Sequence, residues 1–271
     1  MKSPKELSLD RKLLNAVEEL GTGTNAVKLM ELLLADKEIH AMQEYANTVS
    51  IKRLGYNDHG PVHMRKVAQN ATIMMKLLRE AGIATSLEAE EAGSFDESLC
   101  AVLLASFLHD LGMTIGRQDH ELHSCYLAYP VIDRLLTEIY PDSMQKRVTV
   151  RSVAIEGIAG HMAGRRIHSI EAGVILIADG CDMEKGRARI PMAMSSEPRV
   201  GDIHKYSANS IEKVQVSAGK EKPIRIDVSM SSEVGFFQVE EVLLGKIASS
   251  TIKGYIELYA SMLDGEPKRY L

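Results

Sequence analysis

The most constraining feature of this 271-residue chain is a segment that is apolar on almost every helical face and ends in two metal-ligand side chains. A helix formed by residues 101–108 would be apolar on almost every face, which is typical of a helix at the centre of a bundle. His109 and Asp110 follow at once, and a Leu-Gly turn comes next. The segment predicts a central helix, and since an unpaired histidine and carboxylate are costly to bury, a metal ion would satisfy both side chains at once; the alternative for this dipeptide alone is a chance pair with no function.

Helical periodicity extends through the first two-thirds of the chain, with apolar residues recurring every three or four positions. Helices are predicted over residues 7–20, 24–34, 36–54, 62–79, 95–111, 119–140, 143–162 and 169–183. Asp36 is expected to cap the third of them, because its side chain can accept from the first free N–H groups. Residues 84–94 are acidic, and we expect them to form a solvated loop.

The period changes after about residue 207. Residues 224–230 alternate strictly between apolar and polar side chains, as a half-buried strand does. Residues 210–216 fit either a partner strand or the end of a helix, and a helical and another alternating segment follow. The chain is therefore predicted to be mostly α, with a helical domain over residues 1–205 and a small α+β (β-β-α-β) domain over residues 206–271.

Composition excludes several classes of protein. The formal net charge of −5 gives no reason to expect binding to a nucleic-acid polymer or an anionic membrane. No apolar run approaches the ~20 residues of a membrane-spanning helix, and the charged N-terminus lacks the apolar core of a signal peptide. The three scattered cysteines, Cys100, Cys125 and Cys181, fit neither a disulfide framework nor a cysteine-ligated zinc site. We expect a cytoplasmic globular protein.

Ligand-type side chains recur at the ends of other apolar helices. His63 lies at the start of the helix predicted over residues 62–79, and Asp179 follows the apolar run 174–178. Together with His109 and Asp110, they form a set of neutral imidazoles and carboxylates. Such a set suits divalent cations of the Mn, Fe, Co, Zn or Mg type.

The order H…HD…D of these residues resembles the HD-domain superfamily of metal-dependent phosphohydrolases. The motifs that carry the resemblance are HMRKVAQNA (63–71), LLASFLHDLG (103–112), HELHS (120–124), IEGIAGHMAG (155–164) and ILIADGCD (175–182). The resemblance covers about residues 55–190 and implies an HD-domain helical bundle. The whole chain is similar to an archaeal-type subgroup that carries a C-terminal α+β extension.

The resemblance implies a set of metal ligands: His63, His109, Asp110, His120, His161 and Asp179. Two ions are favoured over one, with Asp110 bridging them, and Asp110 and His109 are assigned the catalytic role. The expected metal ion is Mn, Fe, Co, Ni or Zn, and Mg is a further candidate. A hydroxide held at the metals would attack a phosphate ester or phosphoanhydride. The lysine of the cyclic-dinucleotide phosphodiesterases is replaced by Met113, and no GYP signature follows, so hydrolysis of cyclic-di-GMP is not expected.

The expected substrate is a nucleotide or another small phosphorylated molecule, which needs cationic partners. Candidate substrate-binding residues are Arg117, Lys185, Arg187, Arg189 and His204. The alternative for Arg187 and Arg189 is a solvated surface charge. His59 and His123 are candidates to line the site, and His123 fits equally well as a packed residue.

Two other functions are compatible with the same residues. An HD-type protein can use a di-iron pair to oxygenate a C–H bond, and iron-specific activity with O₂ uptake would identify it. A metal-containing module that binds or senses a ligand is the other alternative, with the α+β unit as a surface for dimerisation or an effector. A homodimer is expected.

Overall fold

The computed structural model describes residues 2–21, 23–187 and 203–271. Its helices are α1 (Pro4–Glu19), α2 (Thr24–Ala35), α3 (Lys37–Thr48), α4 (Pro61–Glu80), α5 (Ser86–Ala89), α6 (Phe95–Leu108), α7 (His120–Ile139), α8 (Met144–Gly160), α9 (Ile170–Cys181), α10 (Ile203–Ser210) and α11 (Leu244–Ser249). Two π-helical segments, Val49–Leu54 and Gln238–Leu243, continue α3 and lead into α11. The strands are β1 (Ile211–Ala218), β2 (Ile224–Met230), β3 (Ile256–Met262) and β4 (Lys268–Arg269). The prediction of a mostly α fold with a small α+β part at the C-terminus is confirmed.

Helix α6 lies at the centre of the helical part, as its apolar sequence predicted. All of its residues are buried, and it packs against α2, α4, α8 and α9. A capping box between Ser94 and Glu97 closes its N-terminus. Because the helix is buried from end to end, His109 and Asp110 emerge at its C-terminus in the interior, where they are 0% and 2% exposed.

The N-terminal helices brace α4, the helix that carries His63. Arg65 is fully buried, and its Nε donates to Asp10 of α1 at 2.5 Å. Its Nη1 donates to the Gln43 side chain of α3 at 3.3 Å, and Gln43 in turn donates to the Phe107 carbonyl of α6 at 2.9 Å. Asp36 caps α3 as expected, accepting from two backbone N–H groups. These polar contacts fix α1, α3, α4 and α6 relative to one another.

The expectation of a solvated loop over residues 84–94 is wrong in part, since this stretch contains helix α5. Leu87 is buried, and Thr85 and Glu88 form a capping box. The buried Glu171 of α9 accepts from the Ser98 hydroxyl at 2.6 Å and from the Leu87 N–H at 3.3 Å. One buried leucine and a buried carboxylate therefore hold the stretch against α6 and α9.

The C-terminal sheet has the strand order β1-β2-β3-β4. β1 pairs antiparallel with β2, which settles residues 211–218 as a strand rather than a helix end. β2 pairs in parallel with β3, and the connection between them runs through the segment Gln238–Leu243 and α11. Alternate residues of β2 are buried, as the period-2 pattern predicted. The predicted β-β-α-β order is present, with the two-residue strand β4 added at the end.

The sheet and α11 pack against the helical part through α4 and α9. On α9, Gly173 leaves room for the segment after α11, because a Cβ there would lie 2.1 Å from Thr251 Oγ1. The buried core runs from the helices into the sheet without interruption. The predicted domain boundary between residues 205 and 206 stays a prediction.

Two further observations bear on the expectations from composition. Within the described ranges, no helix has both the length and the hydrophobicity needed to cross a membrane. All three cysteines are free thiols. Burial raises the pKa of the Cys125 thiol to about 11, which disfavours the reactive thiolate.

Candidate metal centre

The bundle brings together all of the side chains that were predicted as metal ligands. They are His63 of α4, His109 and Asp110 after α6, His120 at the start of α7, His161 at the end of α8, and Asp179 of α9. Each is buried, Asp179 being the most exposed at 8%. Five helices with separate positions in the sequence therefore meet at one cluster of imidazoles and carboxylates.

Asp110 divides this cluster into two groups. Its Oδ2 atom lies 3.2 Å from His63 Nε2 and 3.4 Å from His109 Nε2. Its Oδ1 atom lies 3.2 Å from His120 Nε2 and 3.4 Å from His161 Nε2. Each carboxylate oxygen thus faces its own pair of histidines, as a carboxylate that bridges two ions does.

Asp179 joins the first of these groups. Its Oδ1 lies 3.2 Å from His63 Nε2 and 3.8 Å from His109 Nε2. Its Oδ2 accepts a hydrogen bond from the Lys246 ammonium, which enters from α11. The first group therefore has two histidines and two carboxylates, and the second has two histidines and the shared Asp110.

The outer nitrogens of the four histidines all have acceptors. Nδ1 of His63 lies 2.8 Å from Asp182 Oδ2. For His109, His120 and His161, Nδ1 lies 3.0, 3.0 and 2.7 Å from the carbonyls of Ser106, Arg117 and Ile158. Since these oxygens only accept, each Nδ1 carries a proton, and each imidazole in its neutral form presents the Nε2 lone pair to the centre. This is the arrangement of histidines that bind metals.

These lone pairs meet without protons between them. His63 Nε2 lies 3.1 Å from His109 Nε2, and His120 Nε2 lies 3.1 Å from His161 Nε2. Two unprotonated nitrogens cannot hydrogen-bond to each other, and a shared cation would satisfy both. Two ligand atoms about 2.1 Å from one ion, at angles of about 90–110°, lie about 3.0–3.4 Å apart. The donor set and its spacing therefore fit divalent metal ions.

The local charges favour cations at the same place. Burial opposes protonation of His63, but its hydrogen bonds to three carboxylates raise its pKa to about 10, so a proton supplies the positive charge there when no metal ion is bound, and a bound metal ion would displace it. Burial also opposes ionisation of Asp110, yet the His109 charge helps to hold its pKa well below the ordinary value. The Lys246 ammonium outweighs burial in the same way and lowers the pKa of Asp179. Both carboxyls are therefore ionised at neutral pH and available as ligands.

A cavity of about 930 Å³ opens beside the cluster. Asp110 and Asp179 form part of its lining, and Arg117, Arg187 and His59 also face it. Both π-helical segments contribute walls, Val49–Leu54 through its last residue and Gln238–Leu243 through several. π-Helical turns are frequent at functional sites. The cavity brings cationic side chains next to the metal ligands.

Other predicted site residues are placed elsewhere. Lys185 lies outside the cavity lining, is exposed and pairs with Glu212. His123 also lies outside the lining, and its buried Nδ1 has no hydrogen-bond partner among the described residues. Arg189 and the side chain of His204 lie outside the described part of the chain.

Two residues of the centre were not singled out by the sequence. Asp182 orients His63, and it lies three residues after Asp179 in the motif ILIADGCD, so its helical spacing was a usable signal. Lys246 lies 67 residues after Asp179 in the C-terminal part. No local pattern marks it.

Comparison with known proteins shows which family the chain belongs to. No protein-family model matches the chain, and no solved structure matches it. The fold and the centre define a mostly helical protein with a buried His/Asp cluster suited to metal ions. "Uncharacterized protein MJ1020" of Methanocaldococcus jannaschii is 40% identical over 251 residues, which cover 92% of this chain and 95% of that protein. The chain belongs to the same family as this archaeal protein.

The Leu-Gly turn after Asp110 packs directly against the start of α7, which carries His120. The Gly112 N–H donates to the Ser124 hydroxyl of α7 at 2.7 Å. A Cβ on Gly112 would lie 2.0 Å from the His120 carbonyl oxygen, so the turn and the start of α7 touch through their backbones. Only glycine allows this approach.

We therefore expect Gly112→Ala to push His120 away from Asp110. The variant should lose about 1–3 kcal/mol of unfolding free energy, as overpacked sites do. It should also bind less metal, as measured by denaturant titration and elemental analysis. Gly116→Ala is the matched control, since a Cβ at that position meets nothing within 4 Å. Equal behaviour of the two variants would contradict this role of the turn.

Proposed function

We propose that this protein is a metal-dependent hydrolase of the HD-domain superfamily that cleaves a phosphate ester or phosphoanhydride. The observation that carries the proposal is the position of Asp110, whose two oxygens face two separate histidine pairs. Two ions held on one carboxylate are a recurring arrangement for in-line displacement at phosphorus. The resemblance of the sequence motifs to that superfamily points to the same chemistry.

The ligands would be shared between two ions. His63, His109 and Asp179 would hold one ion together with Asp110 Oδ2, and His120 and His161 would hold the other with Asp110 Oδ1. Such ions polarise a phosphoryl oxygen and lower the pKa of a bound water molecule. Four imidazoles and two carboxylates favour Mn, Fe, Co, Ni or Zn over Mg, which prefers oxygen ligands.

The residues of the chain would bind and orient the substrate. Arg117 lines the cavity, and its Nη1 lies 3.3 Å from His120 Nε2. Arg187 also lines the cavity and is held there by donation to the Asp58 and Asp182 carbonyls at 2.9 and 2.8 Å. Guanidinium groups suit phosphate oxygens because they offer paired donors. The anionic end of the substrate would therefore lie between these arginines and the metal ligands.

The size of the cavity favours a small molecule. About 930 Å³ lies within the range of roughly 300–1,000 Å³ that is usual for small-molecule sites. Residues of the two π-helical segments form part of its walls. We infer that a nucleotide or another small phosphorylated compound is the substrate rather than a nucleic-acid polymer.

The three free cysteines fit a reducing compartment. We therefore place the reaction in the cytoplasm. Association into a homodimer stays a prediction.

Phosphate release tests this function directly. The protein reconstituted with Mn, Co, Ni, Zn or Fe should release phosphate from some members of a panel of phosphate esters and anhydrides. Asp110→Asn should lower that rate by more than about 10²-fold, since changes to residues that merely orient ligands already cost about 10–100-fold. Asp264→Asn, which alters an exposed carboxylate, should leave the rate unchanged.

Two results would overturn the proposal. Phosphate release by Asp110→Asn at the wild-type rate would show that the reaction does not use this centre. Iron-specific turnover with O₂ uptake and no phosphate release would assign the same ligands to oxygenation instead.

Arg117 should contribute to substrate binding. Arg117→Met removes hydrogen bonds to a charged group, which are worth about 1.5–3 kcal/mol, and it should raise KM roughly 10–100-fold. Lys185→Met is the control, because that lysine is exposed and faces Glu212. Steady-state kinetics should show a KM within about twofold of wild type for the control. Equal KM values for both variants would contradict the placement of the phosphate beside Arg117.

A further inference from the structure

The C-terminal part of the chain places one lysine inside the metal centre. Lys246 of α11 is 7% exposed, and its ammonium donates to Asp179 Oδ2 and to the His161 carbonyl at 2.8 Å. A lysine is rarely buried unless it is paired. Here the partners are a ligand of the first group and the backbone of a ligand of the second.

This contact gives the two oxygens of Asp179 different partners. Oδ1 faces His63 and His109, and Oδ2 is occupied by Lys246. With one oxygen held, the carboxylate is oriented to offer a single oxygen to an ion. The second contact fixes the backbone at His161, while the His161 imidazole is anchored through Nδ1 to the Ile158 carbonyl. The same ammonium therefore orients one ligand in each group.

The packing of α11 on α9 keeps the lysine in this position. A Cβ on Gly180, the residue after Asp179, would lie 3.0 Å from Lys246 Cδ. Nearer the N-terminus of α9, the Ser250 hydroxyl donates to the Gly173 carbonyl at 3.0 Å. Thr251 donates to the Ser169 carbonyl at 2.7 Å, at the start of the same helix. Helix α11 touches α9 at Gly180, and the segment after α11 touches α9 at Gly173, so α11 is held along α9 at the position that places Lys246.

We infer that Lys246 is a positioning residue of the metal centre, and that the C-terminal α+β unit is thereby an integral part of that centre. Lys246 holds Asp179 as a ligand through one oxygen and steadies the backbone of His161. The inference rests on the metal ions of the proposed function and is independent of the substrate. Without the ammonium, Asp179 Oδ2 would be a buried anion with no partner, free to rotate toward the ion or toward water.

Metal binding to the full-length protein tests this inference without any substrate. In a titration with Co²⁺, Lys246→Met should bind at least one ion about 10–100-fold more weakly than wild type, the usual cost of losing a group that orients a ligand. The visible absorption of the bound Co²⁺ should also change, because it reports the geometry of the ligands. Lys246→Gln, which keeps N–H donors, should recover part of the affinity.

The control is Lys253→Met, which removes an exposed lysine from the same unit. It should match wild type in affinity and in absorption. Far-UV circular dichroism of each metal-free variant separates a loss of ligand orientation from a loss of fold. The inference would be overturned if Lys246→Met were folded, bound Co²⁺ with an affinity within twofold of wild type and showed the same absorption spectrum.

A second measurement uses the wild-type protein alone and therefore does not depend on how the variants fold. Coupling between sites is reciprocal, so metal bound to Asp179 should stabilise α11 in return. Hydrogen exchange over residues 238–249 should slow when Co²⁺ is added. Unchanged exchange there, with slowed exchange around His63 and His109, would overturn the inference and leave the metal centre intact. Failure of wild type to bind any of the ions would instead reject the proposed function.

Discussion

The structure depends on a concentration of electron lone pairs on buried side chains. Four imidazole Nε2 atoms, both oxygens of Asp110 and Oδ1 of Asp179 lie 3.1–3.8 Å from their neighbours, and in the neutral imidazoles no proton points inward. Such an assembly is repulsive unless positive charge is shared within it. The surrounding contacts serve this centre. The carbonyls at Nδ1 and the Asp182 carboxylate fix the tautomers, and Lys246 supplies fixed positive charge at its edge.

The position of the centre would tie the binding of metal ions to folding. Its ligands come from α4, α7, α8, α9 and the end of α6, so ions bound there would join five helices. Where a metal site does not exist in the unfolded chain, the free energy of metal binding adds to the free energy of folding. The neighbouring parts of the chain attach to the same helices. The N-terminal helices reach α4 through Arg65, and the C-terminal unit reaches α9 through Lys246.

Part of the centre was predictable because some of its candidate ligands follow a local pattern, while His120 and His161 were predicted only through the family resemblance. His109 and Asp110 end a helix that is apolar on nearly every face, and Asp179 ends another apolar run. Contacts between distant residues have no such pattern. Asp182 acts on His63 across 119 residues, and Lys246 acts on Asp179 from the C-terminal unit. Lys185 and Arg187 belong to one basic cluster, yet only Arg187 faces the cavity, since the direction of each depends on tertiary packing. Helix α5 was missed although Thr85 and Glu88 carried a capping-box signal.

The central claim is that Asp110 holds one ion on each of its oxygens. Crystals of the full-length protein grown with Mn²⁺ or Zn²⁺ test it through anomalous scattering at the metal absorption edge. The account predicts two peaks about 3.5–4 Å apart, the usual separation in two-metal sites. One peak should lie between Asp110 Oδ2 and His63, and the other between Asp110 Oδ1 and His120. A single peak, or peaks that do not contact Asp110, would contradict the account.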